Sequence, residues 1–458
     1  MLLDTVFARF VERAPVCVAV RATLEAVLNP AALDDLFVRS AELQYQRELL
    51  FSTCVDLMSL VVSRTHRSVN AAYQASAAEV GVSLKSVYSK LANVEPTTSA
   101  ALVRHVAGRL APVIRRMKGE LPPPLKNFRT RIPDGNHLGR TQRRLKPLRD
   151  VAAGPLPGQA LVVLDPALGL AVDAIGCEDG HAQERSLLDR VLPTVAERDL
   201  WIADRNFCTT KFLFGIAARL GRFAIRQHAS TLRWDRVGPR RPAGRCETGK
   251  LFQQTLWLQA EDGRALRVRR VTVELGQATR DSETAIHVLT NLAAHEASAP
   301  TVAALYRERW SIEGVFQTLT TVLQCEVNTL GYPKAAVFAF CVALTAYNVY
   351  AAVKAALRAA HGVEEVEKGV SDYFLADEVA GTYRGMLIAI PEPHWQPLAD
   401  ADDGTLAELL LDLARHAHLP RYKKSPRGPK KPKPRRTRFA KKKHIATARL
   451  LAAEKQRQ

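Results

Sequence analysis

The sequence predicts an α/β protein: a sheet layered with helices, interrupted by an inserted antiparallel β subdomain and preceded by an all-helical region. Three observations carry that expectation. Between about 131 and 289, short apolar runs of strand length alternate with helical segments. Residues 230–282 break that rhythm with Arg, Gly, Val and Trp and with alternating runs such as Leu266 to Val273. Residues 1–125 show apolar residues at helical spacing, as from Leu43 to Val62, with few strand-like alternations.

Taken in order, the helical region contains Ala77 to Leu91, where Gly81, Ser83 at a helix start, and apolar Val87 and Leu91 on one face match a helix-turn-helix register. In that reading Leu84 to Leu91 is the recognition helix, with Lys85, Ser86, Ser89 and Lys90 facing DNA. An ordinary helical hairpin satisfies the same pattern. Pro122, Pro123 and Pro124 then mark a linker. Ala160 to Leu164 and Leu170 to Ile175 read as strands joined through Asp165-Pro166 as a hairpin. Glu184 to Leu192 reads as an amphipathic helix stopped by Pro193, Leu200 to Ala203 as a strand ending at Asp204, Thr210 to Leu220 as a helix and Arg222 to Arg226 as a strand. Ile286 to Leu289 returns to the core sheet, and one long helix is expected from about Thr301 to Leu323.

This gives a partition into 1–125 (helical, DNA-binding), 126–229 and 283–360 (the two parts of the core), 230–282 (the insertion), 361–419 (C-terminal helices) and 420–458 (a basic tail). The 458 residues exceed one ordinary hydrophobic core. The net charge of +19 points to a polyanionic partner, yet Arg421 to Lys443 holds 13 Lys or Arg and no acid, leaving +6 for the rest. The tail is too polar to bury itself and is expected to order only on an acidic partner.

Seven scattered cysteines, with no CxxC pair, read as reduced thiols of a cytosolic protein. The N-terminus lacks the basic and apolar regions of a signal peptide. Residues 335–353 carry no charge and are long enough to span a bilayer, but Thr345, Asn348 and two tyrosines dilute the run, and a buried core helix fits it better. No membrane partner is expected.

Three carboxylates stand out: Asp134 in Arg131-Ile-Pro-Asp-Gly, Asp204 in Trp201-Ile-Ala-Asp-Arg-Asn-Phe, and Glu313 after Tyr306-Arg-Glu-Arg-Trp. Hard divalent cations take oxygen ligands, and a few carboxylates with substrate phosphates complete such sites. Singly, each acid also fits a turn, a cap or a solvated helix charge. On one continuous helix, Tyr306, Arg309, Glu313 and Gln317 would share a face. His181 and Glu184, three residues apart, fit a helix on the edge of a metal site, though an ordinary polar surface helix explains them better; His137 beside Asp134 invites a base role, which metal-bound water does not need.

The ordered segments around Asp134, Asp204 to Phe207 and Tyr306-x2-Arg309-x3-Glu313 resemble the insertion-sequence 4 family of DDE transposases, over about Arg131 to Val353. The resemblance implies an RNase-H-like catalytic core, cut-and-paste transposition, and two Mg²⁺ or Mn²⁺ ions held by Asp134, Asp204 and Glu313. It also implies double-stranded DNA at transposon ends and target as the partner, contacts from Tyr306 and Arg309 to end phosphates, and action as a homodimer in the bacterial cytosol or nucleoid. The family has a lysine seven residues after the glutamate. Thr320 stands there instead, which bears on that DNA contact rather than on the metal site. Trp257 or Trp234 in the insertion would stack on a displaced base, or else fill a strand core. A silent DNA-binding regulator or a nuclease on the same core is the alternative function.

Overall fold

The computed structural model describes residues 3–139, 145, 155–228, 232–279, 282–425 and 445–456. Most of the basic tail, residues 426–444, lies outside the described residues, so the expectation for it stands as a sequence reading. Twelve strands are described: β1 (Arg129–Leu138), β2 (Pro155–Leu156), β3 (Gly158–Asp165), β4 (Leu170–Cys177), β5 (Asp199–Ala203), β6 (Arg222–Arg226), β7 (Arg233–Val237), β8 (Arg241–Cys246), β9 (Gly249–Gln259), β10 (Ala265–Leu275), β11 (Ala285–Thr290) and β12 (Ile445–Ala446). Ten form one sheet, ordered β4-β3-β1-β5-β6-β11-β10-β9-β7, with β8 added on β9; β2 and β12 pair separately.

The sheet is mixed. β3 is antiparallel to both β4 and β1, β1, β5 and β6 run parallel, and from β11 onward pairing is antiparallel again. This is consistent with an RNase-H-like DDE core. The stretch that breaks the sequence rhythm does form antiparallel strands, β7 to β10, and it extends the core sheet through the β10–β11 pair. β11 closes against β6, as Ile286 to Leu289 leads one to expect.

Strand periodicity decides what covers each face, because successive side chains point to opposite sides. Ala160, Val162, Leu164, Leu200, Ile202 and Ala224 join the larger core, which includes the helices Pro96–Met117 and Pro333–His361. Leu161, Val163, Trp201, Ala203, Phe223 and Ile225 face a second core with Leu188 and Val191, and with Phe212 and Ile216 of the Thr210–Ala218 helix. The larger core is continuous from Leu3 to Tyr422, so the N-terminal helices and the sheet share one interior. The Pro333–His361 helix is apolar and long enough to cross a bilayer, and 89% of its apolar window is buried inside the protein.

Three sequence expectations need correction. The segment from Leu43 to Val62 is helical only over Phe51–Val62; residues 41–50 form an irregular loop, because Glu95 captures the backbone N–H groups of Glu42, Leu43 and Gln44. The helix expected from Glu184 to Leu192 is a chain of short turns, Glu184–Leu187 and Leu192–Thr194 being 3-10 and only Leu188–Val191 α-helical. The long helix from Thr301 to Leu323 is broken into Ala299–Glu308 and Ser311–Thr321. At the joint, the N–H groups of Arg309, Trp310, Ile312 and Glu313 bond three residues back, a tighter winding than an α-helix.

Asp165 and Asp173 are buried. Asp165 caps the β3–β4 turn through the N–H groups of Ala167 and Leu168 and pairs with Arg131 at 2.5 Å. Asp173 pairs with Arg104 at 2.9 Å, and burial raises its pKa despite that partner. Asp179, nearer the surface, pairs with Arg449 at 2.7 Å. Asp165 is buried and Arg131 largely so, and Asp165→Asn leaves Arg131 without its counter-charge. The expected loss is about 3 kcal/mol of stability, read as a lowered urea midpoint at unchanged slope. A midpoint equal to the wild type would remove this pair from the interactions that hold the sheet.

Candidate active site

Asp134 lies in the interior of β1, not at a strand end. Its neighbour in the sheet explains why it still marks a boundary. β1 and β5 pair in parallel, Arg129 with Asp199, Thr130 with Leu200 and Arg131 with Trp201. Carried forward, that register sets Asp134 level with Asp204, the residue that follows the last residue of β5. The ladder stops at Arg131, two residues before Pro133, which has no N–H to extend it. Asp134 shares the parity of Ile132, and Asp204 is the first residue after inward-facing Ala203 on the other face. Both carboxylates therefore emerge on the side of the larger core.

Asp204 also caps the 3-10 turn Arg205–Phe207, accepting from the Asn206 N–H at 2.8 Å. A strand ending in such a turn leaves the second carboxylate oxygen open to other partners.

The third acid arrives from the broken helix. Glu313 lies in the first turn of Ser311–Thr321, and its carboxylate is 3.7 Å from the Arg309 guanidinium. The same guanidinium is 3.5 Å from Asp134, so Arg309 stands between the two acids. It is nearly buried, lies over the Trp310 ring at 4.8 Å, and leaves its Nε without a hydrogen-bond partner. The i,i+4 pair read from sequence is thus real, though Arg309 sits at the joint between two helices and not on one continuous face.

A fourth acid, Glu184, reaches the cluster, one of the two places its spacing from His181 allows, although its sequence context favours a solvated surface position. Its carboxylate lies against Gly135, where any Cβ would collide with it, and accepts from Asn206 Nδ2 at 3.1 Å. Burial raises its pKa, and nearby Asp204 adds to the rise. The available signal was Gly135 beside an acid in a strand, which marks close approach of another group.

Burial pushes the Asp134 carboxyl up to about 7; Arg309 opposes this, while the charges of Glu184 and Asp204 reinforce it. The cluster is therefore short of positive charge. All its donors are carboxylate oxygens, which suits a hard divalent ion. Among the described residues, no three His, Cys, Asp or Glu side chains stand close enough to hold an ion as they are, because Arg309 fills the gap. The donor chemistry fits; the spacing requires Arg309 to yield.

The remaining residues singled out from sequence fall in different places. Tyr306 is buried, its hydroxyl bonded to Arg226 and near Arg309, and burial raises its pKa. Arg226 is also paired with Glu283. Thr320 spends its hydroxyl on the carbonyls of Phe316 and Gln317 in its own helix. Trp257 is half-buried on β9 with Arg236 5.2 Å above its ring, whereas Trp234 packs against the second core.

In the helix-turn-helix segment, the first helix is a four-residue stub, Ala77–Val80, ended by Gly81 in the left-handed region at φ 68°. Ser83 caps Leu84–Leu91, whose Val87 and Leu91 are buried as the register requires. Lys85, Ser86 and Ser89 are exposed, while the Lys90 ammonium is committed to the Tyr45 carbonyl.

Residues 159–349 match the family model for the transposase DDE domain. The match covers less than half of the chain and contains Asp204 and Glu313, and it supports a DDE transposase. It starts downstream of Asp134, which is tied to the other acids by the strand register and by its contact with Arg309. No curated protein matches the chain.

The charge balance makes a testable statement about pH. An aspartate whose folded pKa lies above its unfolded value binds a proton more tightly when folded, so stability falls as pH rises from about 4 through about 7. In metal-free protein, Asp134→Asn removes that contribution. Its melting temperature is expected to gain on the wild type between pH 5 and pH 8. Parallel melting curves at both pH values would contradict the elevated pKa.

Proposed function

We propose that the chain is a transposase that cleaves DNA at the ends of a mobile element and joins those ends to target DNA. Asp134, Asp204 and Glu313 are its metal-holding residues. The observation that carries the reading is the level placement of Asp134 and Asp204 on adjacent parallel strands, with Glu313 linked to Asp134 through Arg309. The assignment to the insertion-sequence 4 family, the cut-and-paste route, two Mg²⁺ or Mn²⁺ ions and a homodimer on DNA belong to the same proposal. So does a location in the bacterial cytosol.

When bound by these carboxylates, divalent ions supply the charge that activates an attacking oxygen and stabilises the leaving one. The chain's own residues do the positioning. Arg309 balances Asp134 and Glu313 in the resting site, and a phosphate drawing it away would open the gap between them. Tyr306 and Arg226 brace each other behind Arg309, so the tyrosine acts by orientation and not by exposed contact. Gly135 lets Glu184 and Asn206 lie against β1, which fixes the turn carrying Asp204.

Amide substitution keeps shape and removes a negative charge. Asp134→Asn, Asp204→Asn and Glu313→Gln are each expected to abolish nicking of a labelled end duplex in Mg²⁺ and in Mn²⁺, with duplex binding retained. Wild-type-like nicking by Glu313→Gln would end the proposal. A regulator without catalysis would show binding and no nicking in the unaltered protein, and a nuclease would nick without joining.

Thr320 lies about two turns after Glu313 on the same helix. Thr320→Lys frees the helix carbonyls and adds a charge, and is expected to tighten end binding several-fold at low salt with the metal requirement unchanged. No gain in affinity would place that side chain away from the DNA path.

A further inference from the structure

Residues 41–50 are irregular, yet the loop is held from several sides. The buried Glu95 carboxylate accepts from the N–H groups of Glu42, Leu43 and Gln44 at 2.8, 2.8 and 3.0 Å. Gln46 bonds the Asp34 carbonyl and the Phe51 N–H, both at 3.2 Å, and Lys90 fixes the Tyr45 carbonyl at 3.0 Å. A loop fixed so firmly would be expected to bury its large side chains. This one displays them: Leu43 is 81% exposed and Tyr45 65%, with the Arg47 guanidinium 4.7 Å from the Tyr45 ring.

The loop forms one wall of a cleft whose other wall is the Leu84–Leu91 helix, with Tyr45 and Arg47 facing Lys85, Ser86 and Ser89. No Asp or Glu lines it, although Glu42 and Glu48 are exposed elsewhere on the loop. At its floor, Gln44 leaves its side-chain oxygen without a partner.

We propose that the 41–50 loop is a second DNA-reading element, which grips duplex DNA together with the Leu84–Leu91 helix. The inference deepens the reading given under the proposed function and rests on it. The cleft chemistry favours DNA over another protein surface: cations without acids suit phosphates, and exposed hydroxyls suit phosphate and base-edge hydrogen bonds. A rigid Tyr and an exposed Leu suit sugar and thymine-methyl contacts. Pre-ordering by Glu95 means that the loop gives up little conformational freedom on binding.

The test is fluorescence anisotropy with the full chain, using labelled duplexes from the DNA flanking the coding region and a random duplex of equal length. Tyr45→Ala combined with Arg47→Ala should weaken the flanking duplexes at least about tenfold, and more than the random one. Lys85→Ala combined with Ser89→Ala should show the same preference. Both side chains of the loop pair are exposed, so unfolding is not expected, and circular dichroism checks it. Glu95→Gln should reproduce part of the loss by loosening the loop with Tyr45 and Arg47 intact. Unchanged affinity in the Tyr45–Arg47 variant would overturn the inference alone. So would a change of oligomeric state without a change of affinity, which would make the patch a contact between copies. Failure of the unaltered protein to bind any duplex would overturn the inference together with the proposed function.

Discussion

The parallel register between β1 and β5 is the constraint on which the site depends. It is fixed by a side-chain pair at its first rung: Arg129 and Asp199 are register partners, and their side chains meet at 2.6 Å. Asp199 is fully buried and also accepts from the Ala196 N–H at 2.8 Å, so neither its position nor its charge is free to slide. Five residues further on, the register carried past the end of the ladder sets Asp134 level with Asp204. A slip of one residue would turn one of them to the opposite face, because the side-chain period is two. The ion pair at one end of the ladder thereby sets the acid pair at the other.

The second constraint is charge. Asp134, Asp204 and Glu184 are drawn together by backbone geometry and capping bonds, not by mutual attraction, and burial makes the ionised carboxylates of Asp134 and Glu184 costly. Arg309 offsets part of that cost. Its place at the joint of two helices lets it reach Asp134 on the sheet and Glu313 one turn ahead. Such a site favours a cation over empty water and favours an anion that engages the arginine. The proposed divalent ions and a DNA phosphate would supply both.

Much of this was legible in the sequence, for reasons that also show where legibility ends. The strands β3, β4, β5 and β6 declare themselves because they are buried on both faces and read as short apolar runs, and the insertion declares itself through alternation. Asp204 and Glu313 stood out only as members of an ordered set that resembles a known family, because each acid alone also fits a cap or a solvated helix charge. The break at Arg309 was not legible, since Arg307, Glu308 and Arg309 are good helix formers. The loop at 41–50 follows the same logic: its apolar spacing suits a helix, but Glu95, some fifty residues away, takes its backbone donors. Glu184 was discounted because its partners, Gly135 and Asn206, are distant in sequence and adjacent only in the folded sheet.

Placing three acids on two strands and a helix serves a metal site only if they act as one. The direct measure is Mn²⁺ binding followed by electron paramagnetic resonance, on the full chain with a duplex from the flanking DNA. The account predicts that the wild type binds Mn²⁺ and that Asp134→Asn, Asp204→Asn and Glu313→Gln each lower the affinity by an order of magnitude or more. Mn²⁺ binding by Asp204→Asn at wild-type affinity, with the duplex still bound, would contradict it.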